Sequence, residues 1–93
     1  MTYKEEIGPL RDEINRLNIE IVERIADRVR VAMEIGAVKH RHSRPIEDRI
    51  REERVHRQVR DLAEEAGIDS EGVERVFTEI IALCTQAERE QET

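Results

Sequence analysis

Residues 7–42 read IGPLRDEINRLNIEIVERIADRVRVAMEIGAVKHRH, and the reading of this stretch decides the fold. Leu10, Ile14, Leu17, Ile21, Ile25, Ala32 and Ile35 recur at steps of three and four with one gap, the period of an α-helix with one apolar face. Gly8-Pro9 marks its expected start. Ser43-Arg44-Pro45 marks its expected end, because the residue before a proline is pushed out of the α region. Gly36 reads as a glycine tolerated inside the helix. A helix of about 35 residues extends roughly 50 Å. A compact globule of 93 residues has a radius of gyration of only about 12 Å. The apolar stripe therefore runs beyond what two shorter helices of the same chain can cover. A second chain is expected to cover the rest, and a symmetric dimer is the simplest closed arrangement. The alternative is a helical hairpin with a frayed end.

Outward from this helix the pattern repeats twice. Val55, Val59, Leu62 and Ala66 form one stripe; Val73, Phe77, Ile80, Ile81 and Ala87 form another. Gly67 reads as the residue just past the second helix, and Asp69 or Ser70 as the cap of the third. The expectation is an all-α fold of three helices near 7–42, 47–66 and 70–90. It is a single domain over 1–93 with its core at about 10–88, paired into an intertwined helical homodimer.

Composition narrows the class. Charged residues make up 41% of the chain and aromatics 2%, so the core must be aliphatic. A net charge of −6 disfavours generic nucleic-acid binding. A single cysteine excludes an internal disulfide framework and fits a reducing compartment. No apolar run has the length of a membrane span and the N-terminus lacks a signal-peptide pattern. A cytoplasmic protein without membrane or nucleic-acid partners is expected.

The informative residues are charges on the apolar faces. Arg28 fills the gap between Ile25 and Ala32. Lys39 lies three turns further, about 20° round and roughly 16 Å away. Asp48 and Glu52 extend the stripe of Val55 and Val59 backwards, and Cys84 and Glu88 continue the third stripe. Buried charges cost several kcal/mol unless paired or bound by a ligand, so a shared polar pocket is the simplest single explanation. The ordinary alternative is a set of stripe ends whose long side chains reach water. Arg11 precedes Arg28 by about 25 Å along the axis and roughly 100° around it. If it serves a site, that site is on the partner chain.

At this point the residues resemble a family. Leu10-Arg11-Asp12-Glu13-Ile14, Leu17, Ile21, Ala26, Arg28, Lys39, Pro45, Asp48 and Arg51-Glu52, followed by Gly67-Ile68-Asp69, Phe77, Ile80-Ile81, Cys84 and Glu88, resemble the all-helical (AroQ-class) chorismate mutases over about residues 10–88. The resemblance implies an intertwined dimer with two sites, each lined by three helices of one chain and the N-terminal arginine of the other. It implies an isomerase of aromatic amino acid biosynthesis that turns chorismate into prephenate without metal or cofactor. Arg11 of the partner subunit and Arg28 are then expected to clamp the substrate carboxylates, with Arg51 supporting them. Lys39 is expected to donate to the ether oxygen and a carboxylate, and Asp48 and Glu52 to receive the ring hydroxyl.

Two positions depart from the commonest family pattern. Serine is frequent where this chain has Cys84, a poor donor, so the backbone or a water is expected to take over; Cys84 reads as a small buried group, not a nucleophile. Glutamine is frequent where this chain has Glu88, which is therefore expected to act in its protonated form. Gln86 cannot replace it, lying about 200° away on the helix.

Among weaker signals, the basic run Lys39-His40-Arg41-His42-Ser43-Arg44 reads as a complement to the helix C-terminal dipole before it reads as an anion site. His40 and His42 point to opposite sides, which disfavours a metal. Two other functions stay open: an isochorismate pyruvate lyase of the same fold, or a non-catalytic helical dimer serving as adaptor or regulator.

Overall fold

The structure, a computed structural model, describes residues 1–90. It contains three helices: α1 (Tyr3–Arg41), α2 (Arg49–Ala66) and α3 (Ser70–Glu90). α3 packs against both others, whereas α1 and α2 have no backbone contact with each other. The chain is drawn out to 62 × 27 × 15 Å with a radius of gyration of 17.4 Å, well above the roughly 12 Å of a compact globule of this length. α1 accounts for the excess, since 39 residues rise about 58 Å.

The helix ends follow local chemistry. α1 begins at Tyr3 instead of near Gly8-Pro9, because Thr2 caps it: its hydroxyl accepts from the Glu5 N–H, and Glu5 and Glu6 sit in the first turn. Pro9 then lies inside the helix, where it forgoes one backbone bond. At the other end the Arg44 N–H donates to the Lys39 carbonyl and the Ser43 N–H to that of His40. This places Ser43 in the left-handed region at φ 54°. α2 starts two residues later than expected, with Asp48 as its cap: Oδ1 accepts from the Arg51 N–H at 3.0 Å. Gly67 ends α2 at φ 72° with the same pair of closing bonds, from Gly67 to Glu64 and from Ile68 to Ala63. Asp69 caps α3 through the Gly72 N–H.

The buried set is small and aliphatic: Ala32, Ile46, Val55, Val59, Ala63 and Ala87, with Cys84. α2 turns Ala63 inward and leaves Leu62 exposed, so its buried line runs by steps of four from Val55. On the outer side of this pair, Glu74 of α3 accepts from Arg60 at 2.7 Å and lies 3.3 Å from His56, stapling α2 to α3. The same carboxylate holds the Arg60 guanidinium in its charged form. The N-terminal half of α1 has no such cover. Leu10, Ile14, Leu17 and Ile21 remain 46–58% exposed.

Candidate active site

Arg28 and Lys39 reach from α1 towards α3, which brings Cys84 and Glu88 to meet them one helical turn apart. Arg28 Nη1 donates to Cys84 Sγ at 2.9 Å. Lys39 Nζ donates to Glu88 Oε1 at 2.8 Å and to the Ile46 carbonyl at 2.7 Å, which ties the α1–α2 connection to the same point. Glu88 is the only buried charged residue among those described, at 8% exposure. Such a carboxylate is tolerable because an ammonium faces it directly.

These groups edge a cavity of about 460 Å³ walled by all three helices. α1 contributes Arg28 and Lys39 over an apolar floor of Val31, Ala32 and Ile35. The start of α2 contributes Asp48, Arg51, Glu52 and Val55, and α3 contributes Ile81, Cys84, Thr85 and Glu88. The volume and the mixture of an apolar floor with a few convergent charges suit a small polar ligand. Seven sequence-predicted residues thus converge: Arg28, Lys39, Asp48, Arg51, Glu52, Cys84 and Glu88. Arg11 does not join them. It is exposed on the free half of α1, about 25 Å along the helix from Arg28.

Three features add to the sequence reading. Cys84 accepts a hydrogen bond from Arg28, so its sulfur serves as an acceptor at the cavity edge. Asp48 spends one carboxylate oxygen on its own helix, so the cap that starts α2 also fixes this residue at the cavity edge. Three cations, Arg28, Lys39 and Arg51, face three carboxylates, Asp48, Glu52 and Glu88. The single chain therefore offers a charge-balanced pocket. Ile46 and Thr85 were missed. Ile46 contributes a backbone carbonyl, which no side-chain pattern announces, and Thr85 lies about 100° from Cys84, off the stripe.

Fold and cavity together define a class: an all-α protein that gathers arginine, lysine and carboxylates from three helices around a small-molecule pocket. A match to the chorismate mutase type II family spans residues 10–89, and the chain belongs to that family. It is 36% identical over 77 residues to the T-protein of Haemophilus influenzae, covering 83% of this chain and 20% of that protein. It is 31% identical over 88 residues to the bifunctional chorismate mutase/prephenate dehydratase of Aquifex aeolicus, covering 91% of this chain and 24% of that protein. The chain thus spans a fifth to a quarter of the length of these curated relatives.

Proposed function

We propose that this chain is a chorismate mutase, carrying out the rearrangement of chorismate to prephenate in the cavity between its three helices. The observation that carries the reading is the convergence of Arg28, Lys39 and Arg51 with the carboxylates of Asp48, Glu52 and Glu88 in that cavity, in a member of this family. The reaction is pericyclic: one C–O bond breaks as a C–C bond forms, with no nucleophile. Catalysis consists of holding the compact conformer of a dicarboxylate and stabilising the negative charge that develops on its ether oxygen. Arginine's planar fork suits carboxylates, and Arg28 and Arg51 take that role. Lys39 turns from Glu88 to the ether oxygen, and Glu52 with the free oxygen of Asp48 receives the ring hydroxyl.

A dianion entering a charge-balanced pocket needs more positive charge than one chain supplies. We assign it to a homodimer in which Arg11 of the partner subunit completes the site; the exposed stripe Leu10, Ile14, Leu17 and Ile21 supports the pairing. Glu88 holds Lys39 at the cavity edge until the ligand arrives.

Purified protein is incubated with chorismate and, separately, with isochorismate. Prephenate from the first is the expected result. Salicylate and pyruvate from the second identify a lyase instead, and no turnover of either leaves the reading of a non-catalytic helical dimer.

A further inference from the structure

Gly36 sits on α1 one turn before Lys39, buried, and α3 runs directly over it. A Cβ at this position falls 2.7 Å from the Glu88 carbonyl oxygen and 2.8 Å from the Glu88 Cα. Both are backbone atoms, so no side-chain rotation relieves the overlap; one helix has to move away from the other. The point of contact on α3 is the residue whose side chain meets Lys39 at 2.8 Å. Contact and ion pair are thus two ends of one short path: Gly36 backbone, Glu88 backbone, Glu88 carboxylate, Lys39 ammonium. Arg28 and Cys84 join α1 to α3 on the same side, at 2.9 Å.

We propose that Gly36 is a positioning residue for the reaction: its missing side chain sets the distance between α1 and α3, and so places Glu88 against Lys39 and the ligand. This rests on the mutase reading and adds to it a residue that touches no substrate. A methyl group at Gly36 drives α3 off α1 at Glu88 and widens the cavity where charge develops on the ether oxygen. Displacement of a catalytic group by about 1 Å can cost roughly a hundredfold in rate. Carboxylate anchoring by the arginines changes less, so the loss falls on kcat more than on KM.

The test uses the full chain carrying Gly36→Ala, alone and combined with Glu88→Gln, and also in a Ser43→Gly background that stabilises the end of α1 without touching the cavity. Far-UV circular dichroism and thermal unfolding establish that each variant is folded. The expected result is a fall in kcat of about ten- to a hundredfold with KM changed by less than about threefold, and a much smaller fall when Glu88 is already glutamine. In parallel, the ¹³C shift of the Glu88 carboxylate is read by NMR without ligand; it moves in Gly36→Ala as the Lys39 contact loosens. A folded Gly36→Ala with unchanged kcat overturns the proposal. So does a loss that simply adds to the effect of Glu88→Gln, or a variant that stays unfolded even with Ser43→Gly, since the glycine is then only structural. If the wild type does not turn chorismate over, the mutase reading fails, and the carboxylate shift alone decides whether Gly36 places Glu88.

Discussion

Lys39 is held from two sides, by the Ile46 carbonyl and by Glu88, and both contacts lie on its Nζ. With side chains only 21% and 11% exposed, this ion pair sits where loss of one partner strands the other. Lys39→Ala should lower the free energy of unfolding by about 3 kcal/mol, and Glu88→Gln in that background should restore much of it, as urea titration can measure. The catalytic part of Glu88 shows in the rate. A carboxylate repels the charge that develops on the ether oxygen and an amide donates to it, so Glu88→Gln should keep or raise kcat. A large fall in kcat would remove this role from Glu88. At this scale Arg28, Lys39, Asp48, Glu52 and Glu88 were legible because each lies on the apolar face of its helix, and Arg51 only through the family resemblance. Ile46 and Gly36 were not, because each acts through its backbone.

The helices are set by their ends. Ser43 occupies a left-handed conformation at φ 54° that a β-carbon disfavours. Ser43→Gly should therefore stabilise the protein by about 1 kcal/mol. Gly67 is the reverse case: φ is 72°, and a Cβ there meets nothing within 4 Å. Gly67→Ala should cost about 1 kcal/mol from conformation alone. Thermal unfolding of the two variants, shifted in opposite directions, checks both. The ends of α2 and α3 were readable from Gly67 and Asp69, whose chemistry is local. The start of α1 was misread, since Gly8-Pro9 looks like a boundary while the Thr2 cap, with Glu5 and Glu6 behind it, extends the helix past it.

The long axis of 62 Å leaves the first half of α1 with nothing among the described residues to pack on. Leu10, Ile14, Leu17 and Ile21 are each about half exposed, so covering them contributes roughly 1 kcal/mol apiece. Sedimentation should give twice the chain mass of 10.9 kDa, and Leu17→Glu should shift the protein to a monomer with no mutase activity. Arg11→Ala and Arg28→Ala should each be inactive alone. Mixed and re-annealed in equal amounts, they should recover about a quarter of the wild-type sites, because only the heterodimer rebuilds one intact site. No recovery would mean that Arg11 does not complete the partner subunit's site. Sequence by itself determined three amphipathic helices, the excess length of the first, and which polar residues face inward, because periodicity and capping are local properties of the chain. Only the tertiary structure decided the spacing of α1 and α3, and with it the pairing of Lys39 with Glu88, of Arg28 with Cys84, and the balance of charge in the cavity. Those depend on how closely two backbones approach at Gly36, a distance that no pattern along one helix encodes.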